Sequence, residues 1–544
     1  MKEINWKTKI HIEQGDLCGE ILSSSEGFDY YSYKGIPYAK PPVLDLRFQA
    51  PVEPEPWTGI FNATEHGNRS VSISLATYDT VGSEDCLYLN VYTRELPNPD
   101  TKLKAVMFWI HGGGFWSGSG DTDFHSPDFL LTEDVVLVTI NYRLAFEGFL
   151  TVNDPEKAKV CQNIGIRDMI MALKWVKKNI AAFNGDPNNV TIFGESYGSL
   201  AAHVLICSPL ARGLFHKAIC QSGTSLISYD ERAYIRNMPQ FIAELLGEKF
   251  DNEEEAVEYI KSVPAETIIK TGNVLSQYCI GKYERLFGPV IEKSNEFHDA
   301  VLPDDPEILL KRGDFNKVPL LIGTNSHDGM LYTTKLYLHR LIPPNILDSQ
   351  SLVPRFLELK HDTHESIKVG NRILKFYYGL ETPSMRNVEK YNKYHTDINF
   401  NYQTKKAVKY HLKHKAGPVY LYKFSFDSRC NLYKKIFDVN SPGAGHGDEL
   451  TYLFSTKYHE KLRFGINERN TMLRLVTYWT NFAKYGNPNP IEPDPLFKTE
   501  WKPVQENVYN HQNIGKTIRH YNEQPDDKTM QFWDQLFKEY GHEF

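Results

Sequence analysis

The sequence predicts an α/β fold in which a mostly parallel central sheet carries helices on both faces, with long helical insertions. Short β-branched runs recur between turn residues, at Ala105–Ile110, Val135–Ile140, Val190–Phe193, Lys217–Cys220, Val318–Ile322 and Val419–Phe426. Apolar runs of about four to eight residues read as strands buried on both faces. Helix-like segments lie between them, such as Ile166–Asn179, where Ile166, Ile170, Leu173 and Val176 share one face. Strands alternating with helices imply parallel pairing. Before residue 100 the pattern changes: Lys9–Ile12, Tyr30–Tyr33 and Leu87–Tyr92, set among Gly- and Pro-rich turns, are expected to be antiparallel strands at a sheet edge. The stretches 224–287 and 330–415 are charged and helix-prone, and read as insertions on the sheet.

Composition narrows the function. With 544 residues, 41% hydrophobic and 24% charged, the chain is neither disordered nor fibrous. A net charge of −7 offers no basic footprint, which excludes nucleic acid as a partner. Seven scattered cysteines, Cys18, Cys86, Cys161, Cys207, Cys220, Cys279 and Cys430, are too few for a disulfide scaffold and read as buried thiols in a reducing, cytoplasmic compartment. The N-terminus lacks the apolar stretch of a signal peptide, and no run approaches the ~18 apolar residues of a membrane span. The sequons Asn62-Ala-Thr64, Asn68-Arg-Ser70 and Asn189-Val-Thr191 keep open a secreted alternative with its leader removed.

Four segments carry chemistry. Val190-Thr-Ile-Phe-Gly194-Glu195-Ser196-Tyr197-Gly198 reads as strand, glycine-flanked serine, then helix, the context that turns a chain sharply enough to expose a nucleophilic hydroxyl. Strand Ala105–Ile110 runs into His111-Gly112-Gly113-Gly114-Phe115, where consecutive glycines free backbone N–H groups for an oxyanion; no Gly-Lys-Ser/Thr follows, so a phosphate loop fits poorly. Gly443-Ala-Gly445-His446-Gly447-Asp448-Glu449 sets a candidate base in a flexible loop after a strand. Its His-x-Asp spacing also suggests a metal ligand, but no second His or Cys cluster supports one, and no metal or cofactor is expected. Asp328 lies just past the strand Val318–Ile322, where α/β sheets gather functional side chains. His327 competes with His446 by residue type, but acid and base should come from different loops, which favours His446 and gives the order Ser196, Asp328, His446.

In Arg47–Pro51, Ser83–Asn90, His111–Phe115, Asn141–Leu144, Asn179–Gly198, Phe287–Val290, His446–Leu450 and Trp479–Pro488, the chain resembles the carboxylesterase/cholinesterase family of α/β-hydrolases, insect carboxylesterases most of all. The resemblance implies a Ser196, Asp328 and His446 triad, and an oxyanion hole from the N–H groups of Gly113, Gly114 and Tyr197. Phe115 and Trp116, beside those glycines, are candidate walls of a substrate pocket. Several positions depart from the family pattern. Tyr197 replaces the usual Ala, Ser199 the usual Gly or Ala, and Asp328 the usual Glu. Ala145-Phe146-Glu147-Gly148 stands where the family usually has Gly-Pro/Ala-Leu-Gly, and no cysteine precedes Cys86 at the family's usual pairing distance, which fits an intracellular member.

A site drawn from residues near 111, 196, 328 and 446 requires one domain over 1–544, although length alone favours several. The expected function is hydrolysis of carboxylic esters with hydrophobic groups, whether xenobiotic, dietary, lipid or hormone esters, by a monomer or weak homodimer. A base at histidine's ordinary value would give an acid limb at about pH 6–7. The alternatives are a slow-turnover protein that sequesters esters or organophosphates, should Tyr197 narrow the site, and a non-catalytic cholinesterase-like adhesion protein.

Overall fold

The computed structural model describes residues 6–74, 79–100, 102–227, 237–279, 286–294, 299–339, 348–354, 357, 359–436, 439–458, 462–523 and 527–540, except for the side chains of 273–279 and 335–339. The main sheet has eleven strands: β1 Glu20–Ser23, β2 Asp29–Pro37, β3 Tyr88–Thr93, β4 Lys104–Ile110, β5 Val136–Ile140, β6 Gly185–Glu195, β7 Lys217–Gln221, β8 Leu320–Asn325, β9 Val419–Phe424, β10 Tyr509–Ile514 and β11 Ile518–Glu523. Their spatial order is β11-β10-β9-β8-β7-β6-β4-β5-β3-β2-β1. Pairing is parallel from β10 through to β5 and antiparallel at both ends.

The strands sort their side chains by the two-residue repeat of the pleat. Val106, Phe108 and Ile110 of β4 enter one core, with helices Ile164–Asn179 and Tyr197–Cys207. Met107 and Trp109 enter the other, with Leu475, Trp479 and Phe482 of helix Ile466–Tyr485. Continuous apolar runs therefore mark strands covered on both sides, as the sequence implies.

One expectation changes, and one hairpin goes unmarked in the sequence. Lys9–Ile12 is not an edge of the main sheet; it pairs with Gly15–Cys18 in a separate three-stranded sheet completed by Ile60–Asn62. The hairpin β10–β11 has no apolar signature, because its buried Asn510 and Gln512 are satisfied by the carbonyl of Pro503 and the hydroxyl of Tyr478. The insertions are helical as expected, with Met238–Leu245, Glu253–Ser262 and Ala265–Cys279 in the first and His364–Tyr378, Val388–Thr396 and Tyr402–Lys413 in the second. Residues 228–236, 280–285 and 340–347 of these stretches lie outside the described residues. Among the described residues no helix is long and apolar enough to cross a membrane.

Candidate active site

Strand β6 ends at Glu195 and a helix starts at Tyr197, leaving Ser196 alone in the turn with φ 59° and ψ −125°. A side-chain-bearing residue adopts that backbone only under strain, which its neighbours must hold. The Ser196 N–H donates to Gln221 O on β7 (2.9 Å), and the helix comes so close to β4 that a Cβ on Gly198 would lie 2.1 Å from Ile110 O. At the end of β4 the glycine loop packs on the same turn: a Cβ on Gly112 would lie 3.1 Å from Ser196 Cβ. Gly113 (φ 105°) and Gly114 (φ 70°) turn the loop, and their N–H groups find no acceptor among the described residues.

The other two predicted side chains meet beside this turn. His446 Nδ1 lies 2.9 Å from Asp328 Oδ1. Asp328, fully buried, also accepts from Ser222 Oγ (2.9 Å) and Asn325 N–H (2.7 Å), so its carboxylate is held from three directions. The His446 loop is held in turn by Asp448, which faces inward and accepts from Gly445 N–H (2.7 Å) and Asn431 Nδ2 (3.0 Å). Asp448 is a clamp on the loop, and the described residues contain no group of three His, Cys, Asp or Glu able to hold a metal. His327 points elsewhere: Nδ1 meets Ser326 Oγ (2.9 Å), and its ring fills the space over Gly443, where a Cβ would lie 2.0 Å from it.

The carboxylesterase family profile matches residues 7–533. The chain belongs to that family. It is 33% identical to Esterase FE4 of Myzus persicae over 92% of this chain and 87% of that one, and 32% identical to juvenile hormone esterase of Tribolium castaneum over 88% and 84%. The solved structure of juvenile hormone esterase from Manduca sexta, with OTFP covalently attached, superposes with a TM-score of 0.83 at 28% identity, covering 98% and 99% of the two chains. The protein is thus a carboxylic ester hydrolase of the α/β-hydrolase fold.

This carboxylesterase places further groups around the site that sequence reasoning left without a role. Glu195 Oε1 lies 3.1 Å from His446 Nε2, and neither atom has a hydrogen bond within the described structure. Ser196 Oγ is therefore not hydrogen-bonded to His446 in the resting arrangement, a contact that free enzymes commonly complete only with substrate. Glu449 accepts from Gln221 Nε2 (3.1 Å) and Asn325 Nδ2, and Gln221 Oε1 accepts from Trp479 Nε1 (2.9 Å), forming a polar floor under the elbow. Glu195 and Glu449 stand inside the motifs already singled out; the available signal was a carboxylate ending an apolar strand or following the candidate histidine.

Charge in this floor shifts both partners. Burial disfavours the imidazolium, yet Glu195, Asp328 and Glu449 outweigh it and raise His446 to about 9. Burial, aided by Glu449 and Asp328 against the pull of His446, raises Glu195 to about 8. The pair therefore holds on to a proton at neutral pH and titrates as a unit.

The aromatic residues divide. Phe115 is fully buried and stacked on Phe149 at 4.2 Å. Half-buried Trp116 stacks on Phe287 (5.3 Å, 10°). Tyr197, also half-buried, presents its ring edge-on to Phe115 at 5.0 Å.

Proposed function

We propose that ester hydrolysis runs through an acyl-enzyme on Ser196, within a single α/β-hydrolase domain. His446 Nε2 takes the Ser196 Oγ proton as the oxygen attacks the ester carbonyl, then gives it to the leaving alkoxide. Water repeats the sequence to release the acid and restore Ser196. Asp328 keeps the proton of neutral His446 on Nδ1, and the N–H groups of Gly113, Gly114 and Tyr197 hold the tetrahedral oxyanion. The observation that carries the reading is the strained Ser196 turn, packed against Gly112 of a glycine loop whose next two amides find no acceptor among the described residues, and beside a histidine already bonded to a buried aspartate.

The substrates are small carboxylic esters with hydrophobic acyl or alcohol groups, for which the Trp116–Phe287 stack supplies an apolar wall. Xenobiotic, dietary and lipid or hormone esters fit that class; the relatives named as juvenile hormone esterases support the last. We place the enzyme in the cytoplasm, a reading supported by six described cysteines that are free and buried, with secretion as the alternative; a monomer or weak homodimer is our reading of its assembly. Ser196→Ala is expected to leave folding intact and lower turnover of p-nitrophenyl and naphthyl esters by at least about 10³-fold. Near-wild-type turnover by the folded variant would remove Ser196 from the mechanism.

A further inference from the structure

Glu147 is a carboxylate in a helix, Ala145–Phe149, whose residues are all buried. Its Oε1 lies 3.7 Å from Arg47 Nε. The guanidinium is already engaged. Nε and Nη2 donate to the two oxygens of Glu84 at 2.5 and 2.6 Å, and Nη1 donates to the carbonyls of Ile260, Lys261 and Val263 at the end of helix Glu253–Ser262. Two carboxylates, the buried Glu147 and the half-buried Glu84, thus face one cation. The other charge facing Glu147 is Arg143, which Asp168 neutralises through two hydrogen bonds of 2.8 and 2.6 Å. A second carboxylate here costs desolvation that an apolar residue of similar size would avoid, so its stabilising value is small.

Its position gives it another value. The Ala145 N–H, on a residue at φ 49°, donates to Phe115 O (2.7 Å) and ties this helix to the glycine loop. Phe146 meets Phe287 edge-on at 4.9 Å, and Phe287 is the ring on which Trp116 stacks. On its other side Trp116 abuts Gly272, where a Cβ would lie 1.7 Å from the indole. Gly272 belongs to helix Ala265–Cys279, which begins two residues after Val263, one of the carbonyls held by Arg47. Arg47 is thus linked to one flank of the Trp116–Phe287 stack through the segment that leads into helix Ala265–Cys279, and Glu147 lies next to Phe146 on the other flank.

We propose that Glu147 is a positioning residue which, through Arg47, sets the placement of the Trp116–Phe287 stack and thereby KM for esters with bulky apolar groups. The inference rests on reading that stack as a wall of the ester-binding cleft. Burial pushes Glu147 up to about 7, with Arg47 opposing and Glu84 adding to the shift, so its charge changes across the neutral range. Ionised, Glu147 is drawn to Arg47 and the stack is held; protonated, it loses that attraction.

The test compares wild type, Glu147→Gln, Glu147→Asp and Trp116→Ala with an acetate and a bulky naphthyl ester. In wild type, KM for the bulky ester should rise about fivefold from about pH 8 to about pH 6, while KM for the acetate stays level. Glu147→Gln should show the high KM at both pH values with kcat unchanged, and Glu147→Asp should restore the dependence. Trp116 fluorescence, taken as the difference from Trp116→Phe, should titrate near 7 in wild type and be flat in Glu147→Gln. A wild-type KM profile or fluorescence titration in Glu147→Gln, or an equal loss of kcat for both esters, overturns the proposal. If Trp116→Ala alters KM and Glu147→Gln does not, this proposal alone falls; if Trp116→Ala alters neither KM, the wall reading falls with it.

Discussion

Glu195 shows how one side chain adjacent to Ser196, the nucleophile we propose, shifts the protonation of another. It is the strongest of the charges that raise His446, so the acid limb of kcat/KM belongs above the range of an ordinary histidine. The base works neutral, and a higher value means that activity is lost earlier as pH falls. Glu195→Gln removes one of these upward influences, so its acid limb should move to lower pH in a kcat/KM profile; an unmoved limb would show that Glu195 does not govern the base. The sequence shows a carboxylate at the end of an apolar strand and gives it no role, because its contact with a residue 251 positions later leaves no local mark. The same limit applies to Phe115: adjacency to the glycines suggested a pocket wall, and its full burial against Tyr142 and Phe149 had no mark in the sequence. Tyr197 stands between, and truncating its half-buried ring, Tyr197→Ala, should lower unfolding free energy by about 2 kcal/mol, less than for a fully buried aromatic, as denaturant melts would record.

At the level of elements, the glycine loop and the elbow are built against each other. Gly113 combines φ 105° with a Cβ position only 2.2 Å from Ser117 O, so Gly113→Ala must move the loop and its N–H groups. We expect kcat/KM to fall by about 10²–10³ with far-UV circular dichroism unchanged, the scale of a lost oxyanion donor. Retained activity in that variant would take the loop out of the mechanism. The central strands β4 to β9 were legible because burial on both faces leaves an unbroken apolar run. The β10–β11 hairpin was not, since Asn510 and Gln512 solve their burial by hydrogen bonds and a hydrophobicity pattern does not register such a solution.

Across the whole molecule, segments far apart in sequence are locked by buried polar pairs as well as by the two cores. Arg143, after β5, is bound by Asp168 of helix Ile164–Asn179 through its side chain and its backbone N–H (3.0 Å), and reaches Gln49 O (2.8 Å). Asp168→Ala strands a buried guanidinium, and thermal or denaturant unfolding should show a loss of about 3–5 kcal/mol. A change below about 1 kcal/mol would mean that Arg143 finds other partners. Such locks bring the ends of β4, β6 and β8 and the loop after β9 to one place, and the claim that depends most on that convergence is a covalent intermediate on Ser196. Intact-mass and peptide mass spectrometry after stoichiometric organophosphate treatment tests it most directly. One phosphoryl adduct is expected, on Ser196, appearing in step with loss of esterase activity; an adduct on another residue, or complete inhibition with no adduct, would contradict a covalent intermediate there.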